Sequence, residues 1–434
     1  MKVAIIGGGW ASLACAIEAV SAGHSVSLFE ASRQWGGRAR AVHIASPDGT
    51  QWTVDNGQHI LIGAYTETLR LLQKLQVDAR MVFRRKPLDL RFADQTGLVL
   101  SNLPSPLDAL FAIAVAKGWS IADKASLLVV ATRWILNGFT CGEPVSVQAL
   151  CHGLTPIIQR QLIDPLCISA LNTPAAFASG RVFLKVLKDA LFGATGSSNL
   201  LLPRVDLSEL FPRPATEWLA TQGAQLNLGI RVTSLERAPR SPDWALNGKV
   251  FERVVVATDS VSARFLVANI GHGVKEEIGS QISDCAAWSN CASKLRFEAI
   301  TTVYATAGHH QLTAPMTALH SSAPFPAQFV FDKGQLGGPQ GLLAFVVSSS
   351  QQSREDCQNA VLHQARVQLG LQLRPVQTIV EKRATFACIP SLRRPGSTIT
   401  QGLLACGDYI DGPYPATLEG AVRSGIQCAK LLDR

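Results

Sequence analysis

The chain has 434 residues, about three times the ~150 residues of an average domain, which excludes a small stapled module. Hydrophobic residues make up 47% and charged residues 17%, a composition that excludes a disordered chain and predicts a large buried core. The net charge of +8 is not gathered into basic blocks interleaved with aromatics, so we expect no nucleic-acid partner, whereas attraction to an anionic membrane surface stays open.

The ten cysteines form no CxxC pair and no zinc-type ladder with histidine. We therefore expect reduced packing residues, with neither disulfides nor a metal site. No apolar run reaches the roughly 18 residues of a membrane span, and the strand KVAII follows the first methionine without a basic leader. These features predict a cytoplasmic protein.

The first forty residues have the pattern of a dinucleotide-binding βαβ unit. An apolar strand at 2–6 ends at three glycines, a helical segment covers 13–23, and a second strand covers 26–29. Gly7 would make the tight turn, and Gly9 would let the backbone approach a pyrophosphate at the helix N-terminus. Ser12 replaces the third glycine of the pattern and is still small enough for close packing.

Four further residues complete this predicted nucleotide site. Trp10 and Ala11 follow the glycines directly, and Glu30 with Ala31 ends the second strand. The Glu30 carboxylate would accept hydrogen bonds from ribose hydroxyls. Strand, glycines, helix, strand and acid in register predict a bound nucleotide.

The segment after the second strand distinguishes the nucleotide. Gly36-Gly37-Arg38 after an acidic strand end resembles the flavin-linked amine oxidase and phytoene desaturase superfamily. In that superfamily the glycines let the chain pass the FAD pyrophosphate and the arginine contacts it. The resemblance therefore implies FAD rather than NAD, with Gly37 and Arg38 among its contacts.

The resemblance also implies that residues 54–65, VDNGQHILIGAY, pass beside the isoalloxazine ring. Gly57, Gln58 and His59 are then expected to contact the flavin. His59 could equally be an interior histidine whose hydrogen bonds are satisfied within the fold.

Residues 102–139 form the most apolar stretch and predict two helices. The first begins at Ser105-Pro106 and ends at Gly118, and the second begins at Ser120 with Asp123 and ends at Gly138. Much of both helices is apolar nearly all round, with basic residues at the edges. Two interpretations stay open, an interfacial helix pair at a lipid boundary and an ordinary pair of core helices.

The middle of the chain alternates helices and strands. We expect a helix N-cap at Asp164 before Pro165, a helix at 205–219, the start of a strand pair at 226–236 and a buried strand at 251–258. The segment Gly229-Ile230-Arg231-Val232 matches the place where the superfamily wraps the adenosine end of FAD, which makes Val232 a predicted contact. Strands at 299–305, 328–331 and 342–348 predict a separate sheet, and the glycine-rich stretch 334–341 lacks a following helix, so we expect a hairpin loop and no NAD(P) site.

The last thirty residues predict the flavin end of the site. A strand ends at Gly407-Asp408, and a helix follows from Thr417 and Leu418. Asp408 would accept from ribityl hydroxyls, and the helix N-terminus would point N–H groups at the N1/C2 side of the flavin.

Together these elements predict an α/β fold with a discontinuous Rossmann-type FAD-binding domain (1–75, 203–285 and 398–434). An α+β substrate domain (76–202 and 286–397) would carry the apolar helical insertion.

Four blocks, PATLEGAVRSG, EKRATFACIP, EAITTVYAT and DPLCISALNTP, resemble the squalene-associated FAD-dependent family, the hydroxysqualene dehydroxylases of bacterial squalene and hopanoid synthesis. The chain departs from that family at Ser12 and at Tyr409, where tryptophan is expected. The resemblance implies reduction of a C30 allylic alcohol by hydride from FAD, with the substrate reached from the inner face of the membrane. Asp164, Asp411 and Tyr414 are candidates for the acid that releases the hydroxyl, and the electron donor is not identified.

Three alternatives remain. A carotenoid-type desaturase shares the fold, the FAD and the long apolar substrate but runs the electrons in the opposite direction. An amine oxidase is disfavoured because no paired aromatic residues precede Leu418. A non-catalytic isoprenoid carrier would have lost the nucleotide residues that this chain retains.

Overall fold

The computed structural model describes residues 1–46, 48–101, 103–104, 106–239, 241–270, 279–306 and 308–433. Ser105, predicted to open the first apolar helix, and Asn102 before it lie outside the described residues.

The strands, numbered in chain order, are β1 (Lys2–Ile6), β2 (Ser25–Glu30), β3 (Ala41–Ala45), β4 (Gln51–Asp55), β5 (Leu61–Ile62), β6 (Phe83–Lys86), β7 (Asp89–Arg91), β8 (Gly97–Val99), β9 (Leu200–Pro203), β10 (Gln225–Leu228), β11 (Leu235–Arg237), β12 (Trp244–Leu246), β13 (Lys249–Phe251), β14 (Arg253–Val256), β15 (Phe297–Thr306), β16 (Met316–Ala318), β17 (Phe329–Asp332), β18 (Leu342–Ser348), β19 (Arg374–Phe386), β20 (Thr398–Thr400) and β21 (Leu403–Ala405). The α-helices are α1 (Trp10–Ser21), α2 (Thr66–Lys74), α3 (Ala79–Val82), α4 (Leu107–Val115), α5 (Ile121–Leu136), α6 (Val147–Leu150), α7 (Pro156–Ile158), α8 (Asp164–Leu171), α9 (Gly180–Leu191), α10 (Leu207–Leu210), α11 (Pro212–Thr221), α12 (Ser260–Ala268), α13 (Gly279–Ser293), α14 (Arg354–Leu369) and α15 (Leu418–Lys430). A π-helical turn (Gln159–Ile163) and a 3-10 turn (Gly334–Leu336) complete the helical elements described.

A six-stranded sheet contains the predicted nucleotide unit. Its order is β10-β2-β1-β14-β21-β20, with the first five strands parallel and β20 antiparallel at the edge. These strands come from three separate stretches of the chain, as expected for a discontinuous Rossmann-type fold. Helices α1 and α15 pack so closely that a Cβ at Gly425 would lie 2.2 Å from the carbonyl oxygen of Ala11.

A second sheet is antiparallel, with the order β16-β17-β18-β15-β19. It contains the three strands predicted for it, and the glycine-rich stretch 334–341 joins β17 to β18 as the expected hairpin. The sequence did not indicate β19, which is thirteen residues long and pairs with β15 along its length. The α/β prediction with a separate α+β sheet is confirmed, whereas the domain boundaries stay a prediction.

Two local predictions are wrong. The single helix predicted at 205–219 is two helices, because Phe211, which precedes a proline, has non-helical backbone (φ −137°, ψ −50°) and separates α10 from α11. Asp164 is not an N-cap: Ile163 before it is already helical (φ −68°, ψ −50°), because the π-helical turn runs directly into α8.

The 226–236 segment also differs from its prediction. The strands β10 and β11 lie in different sheets, where β10 pairs with β2 and β11 pairs with β12.

The apolar stretch forms the two predicted helices, α4 and α5. Ser120 and Asp123 make a reciprocal capping box at the start of α5. The inner face of α5 buries Leu127, Val130 and Trp134 in the core. Among the described residues, no helix is both long and apolar enough to cross a membrane.

Candidate functional site

A cavity of about 830 Å³ opens at the carboxyl ends of the five parallel strands. Residues that directly follow β1, β2, β10, β14 and β21 form one side of it, and residues of β15, β18 and β19 form the other. In open α/β sheets the carboxyl ends of the strands are where ligands bind. The volume lies within the ~300–1,000 Å³ range of cofactor and small-molecule sites.

The structure brings all the predicted cofactor contacts to the wall of this one cavity, although they come from separate segments. They are Gly7, Gly9, Trp10, Ala11, Glu30, Ala31, Gly37, Arg38, Gly57, Gln58, His59, Val232, Gly407, Asp408, Thr417 and Leu418.

The turn after β1 has the geometry of a phosphate cradle. Gly7 has φ +121°, and a Cβ there would lie 2.5 Å from the carbonyl oxygen of Ala257, so only glycine fits. Helix α1 begins at Trp10 rather than at the predicted residue 13, and no side chain caps its N-terminus at Gly9. Its first N–H groups therefore face the cavity, where they can bind an anion. Ser12 fits because its buried hydroxyl donates to the Gly9 carbonyl oxygen at 2.7 Å.

The end of β2 forms the next part of the wall. One Glu30 carboxylate oxygen accepts from the Ser32 backbone N–H at 2.6 Å. The Ile230 N–H donates to the Glu30 carbonyl oxygen at 2.9 Å, which brings the buried Val232 to the same end of the cavity. This arrangement suits the ribose and adenine end of a dinucleotide.

Arg38 joins the glycine-rich segment to the C-terminal segment. Its guanidinium donates to the Asp408 carboxylate at 2.6 Å and to the Ala384 carbonyl oxygen at 2.8 Å. One Asp408 oxygen is thus engaged by Arg38, and the contact of Asp408 with ribityl hydroxyls stays a prediction. Asp259, which the sequence did not indicate, also lines the cavity and lies 3.8 Å from Arg383.

The segment after β4 carries the predicted flavin contacts. His59 Nδ1 lies 2.8 Å from the Gly57 carbonyl oxygen, and burial lowers the pKa of His59 to about 4. The ring is therefore neutral near pH 7, satisfied at one nitrogen within the fold, and part of the cavity wall at the same time.

Two buried ionisable residues, Lys333 and Asp55, lie next to this segment. The Lys333 ammonium donates to the Gln58 side-chain oxygen at 3.2 Å, and burial lowers the pKa of Lys333. Burial raises the pKa of Asp55 to about 6. The sequence did not indicate Lys333, because it lies in the β17–β18 hairpin, which carries no motif of its own.

Beyond the nucleotide cradle the cavity wall is mixed, with an apolar part beside polar side chains such as Ser169, Ser348 and Glu381. Ile60, Ile168, Ala170 and Ile300 contribute the apolar surface. Asn172, at φ +44°, donates to the Thr385 hydroxyl at 2.9 Å and accepts from the Ser349 N–H at 2.8 Å. In the sequence this wall was indicated only by resemblance, through the DPLCISALNTP, EAITTVYAT and EKRATFACIP blocks and the segment 54–65.

None of the three acid candidates lines this cavity. Asp164 is half-buried on α8, where the Gln159 side-chain amide donates to it at 2.7 Å and burial raises its pKa. Asp411 is exposed and paired with Arg394 at 3.1 Å, and the Tyr414 hydroxyl donates to Asp189 at 2.6 Å. Asp411 and Tyr414 line a separate cavity of about 610 Å³.

Each of the ten cysteines carries a free thiol. Three of them form a cluster: the sulfur atoms of Cys15, Cys406 and Cys428 all lie within 4.8 Å of one another in the hydrophobic core that contains α1 and α15. The expectation that they hold no metal stays a prediction.

Comparisons with known proteins agree with this geometry. Residues 13–432 match the model of the family described as flavin containing amine oxidoreductase. The chain is 26% identical to a hydroxysqualene dehydroxylase of Rhodopseudomonas palustris over 99% of this chain and 98% of the relative. It is 35% identical to a zeta-carotene desaturase of a Synechocystis species over 62% of this chain and 57% of the relative.

A solved oxidoreductase from Methanosarcina mazei superposes with a TM-score of 0.72 at 15% identity, and the match covers 100% of both chains. This likeness shows the fold. The family match over nearly the whole chain identifies the protein as an FAD-dependent oxidoreductase that belongs to the flavin-containing amine oxidoreductase family.

Proposed function

We propose that the protein reductively dehydroxylates hydroxysqualene to squalene in bacterial squalene and hopanoid synthesis. The observation that carries this proposal is that one cavity joins the nucleotide cradle to a wall whose apolar part is made by Ile60, Ile168, Ala170 and Ile300. A flavin and a long hydrocarbon could meet there. The full-length match to a hydroxysqualene dehydroxylase favours this reaction over desaturation, since the match to a desaturase covers only part of either chain.

The reaction balances as one hydride and one proton taken up and one water released. FAD, when reduced, supplies hydride chemistry. The chain's own residues would bind and orient the reactants. Arg38 and the α1 N-terminus would hold the pyrophosphate, and the α15 N-terminus at Thr417 and Leu418 would lie toward the flavin. The apolar wall would exclude water from the carbocation that remains after the C–O bond breaks.

We retain Asp164 as the proposed acid. Asp164 does not itself line the cavity, but it lies one helical turn before Ile168, which does, and both project from the same side of α8. Burial raises the pKa of Asp164, which keeps the carboxyl protonated to a higher pH. Asp411 and Tyr414 are weaker proposals, because each is bound to a charged partner beside a different cavity.

The substrate class also implies where the protein works. At ~0.8 kcal/mol per buried CH2, thirty carbons amount to about 24 kcal/mol of transfer from water, so such a substrate is held in a bilayer. We therefore propose a cytoplasmic protein on the inner face of the bacterial membrane. A diffusing NAD(P)H or a partner protein would reduce the flavin.

A single-turnover experiment tests the reaction. The purified holoprotein is reduced anaerobically and mixed with hydroxysqualene while the flavin absorbance is followed, and products are identified by mass spectrometry. Flavin reoxidation with formation of squalene is expected. A reduced flavin that stays reduced with the alcohol refutes the proposal, and bleaching of the oxidised flavin by a carotenoid precursor would instead establish a desaturase, the candidate that the 35% match favours.

A further inference from the structure

The outer faces of α4 and α5 are apolar and exposed. On α5, Ile121 is 88% exposed, Val129 is 70% exposed and Leu136 is 81% exposed. The other large apolar side chains exposed on the two helices are Leu107, Leu110, Phe111, Val115, Leu128 and Ile135. These nine side chains together are called the α4–α5 surface. Single exposed apolar residues are ordinary, but nine large ones on two consecutive helices indicate an interaction site.

The acidic and basic residues of the same segment differ in their exposure to solvent. Asp108 and Asp123 are both buried, and Asp123 is held in its capping box. Lys117 and Arg133 are exposed beside the α4–α5 surface, and Lys124 is partly exposed. Within the described residues 106–139, every charged side chain that reaches solvent is therefore positive.

The surface is tied to the cavity through one buried hydrogen bond. Trp119, in the turn between α4 and α5, donates from its indole N–H to the Gln161 side-chain oxygen at 2.8 Å. Gln161 lies in the π-helical turn that continues into α8, and α8 supplies Ile168 and Ala170 to the apolar wall. Insertions of this kind in helices often occur at functional sites.

We propose that the α4–α5 surface docks this protein on an anionic lipid bilayer. The apolar side chains would enter the boundary between headgroups and acyl chains, while the basic rim meets the lipid phosphates. The sign of these charges selects this occupant, because within the described residues 106–139 every exposed charge beside the apolar side chains is basic and complements a negative surface. Docking rests on the surface alone; only its use to admit substrate toward α8 rests on the proposed function.

Vesicle sedimentation of the FAD-bound protein tests the docking. The vesicles are phosphatidylcholine alone or phosphatidylcholine with phosphatidylglycerol. The variant Val129→Glu/Leu136→Glu removes two exposed apolar groups, and Lys117→Glu/Arg133→Glu reverses the rim. Val367→Glu is the matched control, since Val367 is 56% exposed on α14, another sixteen-residue helix. The visible spectrum of each variant verifies that the flavin site is intact.

We expect the wild type and Val367→Glu to sediment with anionic vesicles equally. Val129→Glu/Leu136→Glu should bind at least tenfold more weakly, and Lys117→Glu/Arg133→Glu should lose the preference for anionic over neutral vesicles. Wild-type protein that stays in solution, or Val129→Glu/Leu136→Glu that binds normally, would overturn the proposal. A lipid-free dimer that Val129→Glu/Leu136→Glu dissociates would also overturn it and assign the surface to self-association.

The two proposals fail separately. Squalene formation in detergent micelles without vesicle binding would refute docking and keep the reaction. Vesicle binding by a protein that is inert toward hydroxysqualene in micelles would keep the docking and refute the reaction.

Discussion

Two residues beside the cavity, His59 and Asp55, should change the free energy of unfolding with pH in opposite directions. Burial lowers the pKa of His59 from 6.5 to about 4, so the unfolded chain binds the proton more tightly than the folded chain does. The stability that the neutral ring contributes is complete above pH 6.5 and is lost as the pH falls toward 4. A tenfold difference in proton affinity corresponds to about 1.4 kcal/mol, so the full loss is about 3 kcal/mol.

Asp55 acts in the other direction. Its pKa rises from 3.8 to about 6, mainly through burial and against the attraction of the nearby Lys333. The folded state therefore binds the proton more tightly, and the stability of the protonated form is complete below pH 3.8 and lost as the pH rises through 6. This loss is also about 3 kcal/mol. Between pH 4 and 6 the two contributions nearly cancel in the wild type.

Two single substitutions should separate them. In His59→Gln the free energy of unfolding should fall by about 3 kcal/mol as the pH rises from 4 to 6.5, because only the Asp55 contribution remains. In Asp55→Asn, which keeps an acceptor for the Leu207 N–H, it should rise by about the same amount. Urea unfolding of the FAD-free protein, followed by tryptophan fluorescence, measures both. Parallel pH profiles of the two variants would refute the argument.

Three further substitutions test the site and its frame. Arg38→Met leaves the Asp408 carboxylate, which is 11% exposed, without its cation. This variant should bind FAD about 10- to 100-fold more weakly in a flavin-fluorescence titration, whereas Arg213→Met, which breaks an exposed ion pair, should bind FAD normally. Glu419→Ala removes a fully buried carboxylate that is bound to Thr68 and Arg423. In urea titrations it should lower the free energy of unfolding by about 3–5 kcal/mol, whereas Glu217→Ala, at an exposed position, should lower it by less than about 0.5 kcal/mol. Ile168→Trp adds bulk to the apolar wall and should slow squalene formation at least about tenfold while the bound-flavin spectrum stays unchanged; an unaffected rate would place the substrate elsewhere.

The nucleotide half of the site could be predicted because each of its parts is a local pattern. Gly7 and Glu30 belong to a strand–turn–helix–strand order in which spacing alone places them. Arg38 and Asp408 lie 370 residues apart, yet each follows a strand of the same parallel sheet, so both reach its carboxyl edge. Parallel topology thus turns separate local patterns into one site.

The substrate half could not be predicted in this way. Thr385 lines the cavity from β19, and Lys333 contacts Gln58 from the β17–β18 hairpin, so both depend on the antiparallel sheet, whose register is set by pairing between distant strands. Asn172 meets Thr385 from the end of α8. The β15–β19 pairing even shifts register twice, between Glu298 and Ile300 and between Tyr304 and Ala305. A shift of one residue exchanges the two faces of a strand, so no pattern within β19 indicates that Thr385 meets Asn172.

The errors at Phe211 and Asp164 have opposite causes. A proline follows Phe211, and this signal was present in the sequence but was outweighed by the helical spacing on either side. The Asp164-Pro165 pair has the pattern of a helix start, but the preceding π-helical turn already supplies helical backbone, so tertiary structure overrode the local preference.

The core-helix interpretation describes one face of the apolar helices, and the lipid-boundary interpretation stays a prediction for the other face. Leu127, Val130 and Trp134 bury one face of α5 in the core, while Val129 and Leu136 stand exposed on the other. Periodicity reveals a buried face only when the opposite face is polar, so a helix that is apolar all round gives no sign of which side faces the protein. An exposed apolar face of this kind lowers the solubility of a protein unless another apolar surface covers it. A bilayer that holds a C30 substrate is the phase that we propose for it.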